Sequence, residues 1–131
     1  MKRDNYKILK EKQPLKEMAN LRNTQTGLSN GTLYISTQEG NHGPRVKFFR
    51  GSPGNTPSAS ITISDTPEII EDSIDISEKE IREITAYVMK NKEALLNFWN
   101  NGHTWYSDEV EKFKKKILKK ISKDDIKGVE L

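Results

Sequence analysis

The feature that most constrains this chain is a change of hydrophobic period along its length. Thr32-Leu33-Tyr34-Ile35-Ser36, Arg45-Val46-Lys47-Phe48-Phe49-Arg50 and Ala59-Ser60-Ile61-Thr62-Ile63 alternate apolar with polar residues, the pattern of half-buried strands. Beyond Ser77 the apolar residues Ile81, Ile84, Val88, Leu95 and Phe98 fall instead at helical spacing, with Tyr87, Ala94 and Trp99 widening the stripe. Strands followed by helices, rather than alternating with them, predict an α+β fold. The expected form is a small antiparallel sheet of three or four strands packed against a C-terminal amphipathic helix, plus a second, lysine-rich C-terminal helix.

Turn and cap residues punctuate this pattern. Gln38-Glu39-Gly40-Asn41-His42-Gly43-Pro44 is turn chemistry throughout and joins the first two strands as a hairpin. Gly51-Ser52-Pro53-Gly54-Asn55-Thr56-Pro57 is a loop, and Asp65-Thr66-Pro67 leads to the fourth strand, if there is one, around Glu68-Ile69-Ile70. Ser77 followed by Glu80 is a capping box that opens a helix over about 78–100, with Gly102 at its stop. Ser107, Asp108 and Glu109 open the second helix, which ends near Ser122 and sets Val110, Phe113, Ile117 and Ile121 on its packing stripe. Residues 1–31 read as a basic arm, with a helix expected within 6–21, interrupted at Pro14, and a polar loop after it. Residues 32–122 form one domain and 123–131 a tail.

With no Cys among 131 residues there is no disulfide framework and no thiolate metal site, and Met1-Lys2-Arg3-Asp4 leads into no apolar signal region. No run approaches the roughly 20 apolar residues of a membrane span. The reading is a cytoplasmic chain that neither enters a membrane nor needs a cofactor. Its net charge of +3 is unevenly spread: residues 65–102 carry nine acids against four bases, and 103–131 eight bases against six acids. Such a layout can serve nucleic-acid contact and equally serves packing of a basic tail on an acidic helix. The small size, the polar chain with its basic ends and the absence of catalytic groups make a protein or nucleoprotein complex the expected partner, with nucleic acid as a further candidate.

Alternation sets Arg45, Lys47 and Phe49 opposite Val46 and Phe48, so that Tyr34, Arg45, Lys47, Phe49 and Arg50 make a candidate binding face. Basic side chains interleaved with aromatics are what phosphate contact and base stacking require, although exposed Arg, Lys and Tyr are also ordinary on a solvated sheet face. Lys112, Lys115, Lys116 and Lys119 of the second helix form a secondary basic surface that could track a phosphate backbone or simply be the helix's wet side. His42 and His103 stand far apart in turn-like settings, too few for a metal site. Asp65, Glu68, Glu71, Asp72 and Asp75 read as a solvated connector. The aromatic pair in Gly102-His103-Thr104-Trp105-Tyr106 plugs the junction between the helices or anchors a partner. No Ser-His-Asp or Cys-His set is available, and no catalytic residue is assigned.

Three phrases, His42-Gly43-Pro44-Arg45-Val46-Lys47-Phe48, Ala59-Ser60-Ile61-Thr62-Ile63 and Asn91-Lys92-Glu93-Ala94-Leu95-Leu96-Asn97-Phe98-Trp99, follow one another in an order that resembles the DUF4160 family of small bacterial proteins. The resemblance covers about 33–100 and implies a component of toxin–antitoxin-type gene pairs or mobile elements. Where that family usually shows Pro-His-x-His, this chain has Pro44-Arg45-Val46-Lys47, two permanent cations in place of two titratable ligands. The expected function is that of a non-enzymatic binding protein, a toxin–antitoxin component or a phage-type inhibitor of host defence. The alternative is a nucleic-acid or nucleotide-phosphate binding module, and a metal-dependent nuclease is more distant.

Overall fold

The computed structural model describes residues 18–37, 43–50, 58–72 and 75–130. Five strands, β1 (Met18–Arg22), β2 (Thr32–Ser36), β3 (Arg45–Phe49), β4 (Ser58–Thr62) and β5 (Ile69–Asp72), form one antiparallel sheet in the order β1-β2-β3-β4-β5. Each strand pairs with the next in sequence, as local hairpin connections favour. The fold is therefore α+β as expected, with the fourth strand present as β5 and a further one, β1, ahead of the predicted hairpin.

β1 corrects the reading of the basic arm. Its stretch 18–21 is strand rather than helix, because Ala19 and Leu21 alternate into the core and pair in register with Ile35 and Leu33. The remainder of the proposed 6–21 helix lies outside the described residues, as do His42 and the 51–57 loop. A single helical turn, α1 (Asn23–Thr26), follows β1 and ends at Gly27, whose φ of 88° is left-handed. Gly31 is also left-handed, at φ 83°, and a Cβ there would run into the Phe48 ring. Only glycine fits that re-entry into β2.

The helices are more broken than their periodicity suggests. In place of one helix over 78–100 there are α2 (Glu78–Lys90) and α3 (Lys92–Asn101), separated at Asn91. Asn91 is buried, and its side-chain amide reaches outside its own helix. Its Nδ2 donates to the Tyr87 carbonyl at 3.1 Å and the Lys119 carbonyl at 2.9 Å, while its Oδ1 accepts the Lys119 N–H at 2.8 Å. Reading both backbone groups of one residue, it substitutes for a strand partner.

The second predicted helix is likewise interrupted. α4 (Ser107–Lys112) passes into a π turn, Phe113–Ile117, closed by a bond from the Leu118 N–H to the Phe113 carbonyl at 3.0 Å. The wider turn breaks the expected stripe: Ile117 comes out half exposed, and Leu118 takes the buried position. From Leu118 the chain is extended, held by Asn91 and by the Ile121 N–H on the Thr26 carbonyl at 2.9 Å. The tail then forms α5 (Lys123–Lys127), capped by Ser122 and Asp125. Val129 is buried, and its carbonyl accepts from Arg82 at 2.8 Å, fastening the tail to α2.

The core lies on one side of the sheet, where Leu21, Leu33, Ile35, Val46, Phe48, Ala59 and Ile61 meet Ile84, Tyr87, Val88, Leu95 and Phe98. Burial pushes the Tyr87 phenol well above its ordinary value. Trp105 packs edge-on against Phe98 and Phe113, which stack on each other, at ring-centroid distances of 5.6 and 5.1 Å, so the first aromatic of the linker plugs the helix junction. Tyr106 remains exposed at the start of α4. Among the described residues no helix is long and apolar enough to cross a membrane.

Candidate functional site

The predicted strand face exists, but its five residues do not behave alike. Tyr34 and Lys47 are direct cross-strand partners, and Arg45 lies two residues along on the same face. Phe49 shares that face yet is buried, with its ring edge-on to Tyr34 at 5.9 Å. Stacking on a base needs an open ring, so Phe49 serves as packing. Tyr34, Arg45 and Lys47 are half-buried.

Arg50, one residue past β3, turns to the start of α2. Its Nε donates to Glu80 Oε2 at 2.9 Å and its Nη2 to Glu80 Oε1 at 2.7 Å and to the Asp75 carbonyl at 2.6 Å. Glu80 is at the same time the third residue of the capping box: its Oε1 accepts the Ser77 N–H at 2.9 Å, and its own N–H donates to Ser77 Oγ at 3.1 Å. Asn30 Nδ2 adds a further bond to Oε2 at 3.2 Å. The Arg50 guanidinium, helped by Ser77 and Asn30, holds the Glu80 carboxyl down at about 2 against the desolvation that would raise it. One turn along, the buried Glu83 carboxylate accepts the Ser29 hydroxyl and, at 2.9 Å, the Ser29 N–H. Glu80 and Glu83 thus fasten α2 to the β1–β2 loop and to the end of β3.

The acidic connector is also engaged at its start. Asp65 pairs with Lys92 at 2.8 Å, and that ammonium lowers its carboxyl pKa. Among the described residues no three His, Asp or Glu side chains converge in a group able to hold a metal ion. His103 is exposed in a 3-10 turn, Gly102–Thr104.

The secondary basic surface is open to solvent. Lys112, Lys115, Lys116 and Lys119 are exposed, as are Lys120 and Lys123, and none of the six forms an ion pair with a described residue.

Lys114 differs from its neighbours. Its side chain is only 15% exposed, and its one ion pair among the described residues is a 3.4 Å contact with Glu111, itself 55% exposed. It lines a cleft of about 210 Å³ together with Glu111, Ser107 and Val110 from α4 and Ala19, Asn20 and Tyr34 from the sheet. One residue of the strand face, Tyr34, thereby shares a cleft with the lysine-bearing helix. Sequence reasoning missed this cleft because it read 18–22 as part of an arm; the alternation of Ala19 and Leu21 was the signal that could have revealed it.

No protein-family model, curated protein or solved structure matches this chain.

Proposed function

We propose that this chain is a non-enzymatic binding protein that acts by occupying a surface of a protein or nucleoprotein partner, of the toxin–antitoxin-component or phage-inhibitor type that its resemblance to the DUF4160 family implies. The observation carrying this reading is the contrast in how charge is used. The buried carboxylates Glu80 and Glu83 are saturated by Arg50, Ser77, Asn30 and Ser29 in holding elements together. The six exposed lysines of 112–123 have no counter-ion among the described residues, and unopposed surface charge steers association with an anionic surface. Affinity capture with the full chain tests the proposal against a variant carrying Lys115→Glu, Lys116→Glu and Lys119→Glu. The native protein should retain a partner that the variant releases; recovery of bait alone, in the presence of host lysate and nucleic acid, would refute it.

A second reading, direct binding of nucleic acid or nucleotide phosphate, draws support from Tyr34 lying directly opposite Lys47, a stacking group beside a phosphate contact. Counterion release predicts affinity for oligonucleotides that falls steeply with salt and less steeply once Arg45 and Lys47 are replaced. Failure of both single- and double-stranded oligonucleotides to bind at low ionic strength would end it.

A further inference from the structure

The hydrogen-bonding phase of the sheet can be followed from one side to the other. Thr62 donates to the Glu68 carbonyl at 2.9 Å and Ile63 to the Pro44 carbonyl at 3.0 Å, so along β4 the even-numbered residues address β5 and the odd-numbered ones β3. In an antiparallel pair, residues that exchange backbone bonds alternate with residues that do not. Ile61 and Ala59 therefore bond with Val46 and Phe48, which leaves Lys47 and Phe49 to bond with Tyr34 and Thr32. It follows that Leu33 and Ile35 bond with Leu21 and Ala19, and that the backbone groups of Asn20 and Arg22 point away from the sheet. Arg22 bears this out, since its N–H is taken at 2.9 Å by Gln25 Oε1 on the neighbouring turn.

Among the described residues β1 is an edge strand, and the outward N–H and C=O of Asn20 are a template for another strand. Asn20 is exposed, and the same residue lines the cleft whose other wall is Ser107, Val110, Glu111 and Lys114 of α4 and the π turn. An outward-bonding edge strand facing a helix across a groove is the geometry of peptide capture by strand addition. Charge selects the occupant. Lys114 is mostly removed from water but has only a long contact with a solvated Glu111, so an incoming carboxylate would gain a partly desolvated cation.

Resting on the reading of this chain as a binding protein, we propose that β1 and the cleft beside α4 capture an extended acidic segment of the partner polypeptide, which adds a strand at Asn20 and sets a carboxylate on Lys114. The probes are N-acetylated, C-amidated ten-residue peptides of alternating Thr and Val with a central Glu, or with Lys in its place. Binding to the full chain is read by fluorescence anisotropy, and amide exchange by NMR. The Glu peptide should bind at least about tenfold more tightly than the Lys peptide and slow exchange of the Asn20 amide. N20P removes an N–H that the β1–β2 ladder does not use, and should weaken binding by roughly tenfold, whereas N20A should change it little. K114Q should bring the two peptides to parity. Should N20P melt early, the Glu peptide methylated on alternate backbone nitrogens provides the same test on the native protein, to which it should not bind. Undiminished binding by N20P or by the methylated peptide, or no binding of the Glu peptide at all, would overturn strand addition. If the native chain still captures its partner in that event, the binding reading survives; loss of both removes both. Oligonucleotide binding without peptide binding would assign the surface to nucleic acid instead.

Discussion

At the junction of β3 and α2, two buried acids and a part-exposed arginine sit in a network in which each has its partner: Arg50 forks onto Glu80, Glu80 closes its own helix cap, and Glu83 takes both polar groups of Ser29. On segment 112–123, six lysines, Lys114 apart, face solvent and pair with nothing described around them. The difference follows from solvation. A carboxylate taken out of water must be satisfied by fixed donors or it destabilises the fold, so the junction admits a single arrangement. An ammonium in water bears no such constraint and remains available for a partner. Burial, more than residue type, separates charges that build this molecule from charges that can act for it.

The comparison can be broken at the junction first, where the largest effect is expected. Glu80→Ala removes the Arg50 fork, the Asn30 contact and half of the capping box together, and should lower unfolding free energy by about 3 kcal/mol, since breaking a buried pair strands its partner groups. Urea denaturation would measure it. A loss below about 0.5 kcal/mol, ordinary for a surface site, would place Glu80 with the exposed charges instead.

Asn91→Ala should follow, at about 2 kcal/mol, because the N–H and C=O of Lys119 lose their partner where they are partly buried. The same substitution should speed amide exchange at Lys119 and Ile121, since that extended stretch hangs on Asn91 and Thr26.

Acid sharpens the contrast further. Glu80 is held at about 2 in the folded protein, below its ordinary 4.5, so its contribution is complete above about pH 4.5 and is lost as pH falls through 2. Glu80→Gln should therefore be less stable than the native chain at neutral pH, and the gap between them should close across that window in thermal melts recorded as a function of pH. A gap that stays constant would mean that the carboxylate charge contributes nothing.

The smallest effect on stability belongs to the lysine segment. Replacing Lys115, Lys116 and Lys119 by Glu should shift unfolding by no more than about 0.5 kcal/mol per site, as exposed charges away from caps and pairs do. Retention on a polyanion column should nevertheless fall sharply. A large loss of stability would show that these lysines, like Arg50, are part of the frame.

The sequence by itself determined the α+β class, the three central strands, the Ser77–Glu80 cap and the apolar stripe of the first helix, because each rests on spacing within a short window, where alternation or helical period states which side chains must be buried together. It also predicted that Arg45 and Lys47 share a sheet face and that Lys112, Lys115, Lys116 and Lys119 are exposed. Only the tertiary structure decided the rest, since each remaining feature depends on a contact between distant residues. Ala19 and Leu21 form a strand because β2 lies beside them. The first helix breaks at Asn91 because that amide binds Lys119, 28 positions away. Arg50 leaves the strand face for Glu80, 30 positions on, and Lys114 lines a cleft beside a strand whose own pattern was too short to be read. Local periodicity records which faces an element must bury, whereas the identity of what covers each face, and which charges meet across it, is a property of the assembled chain.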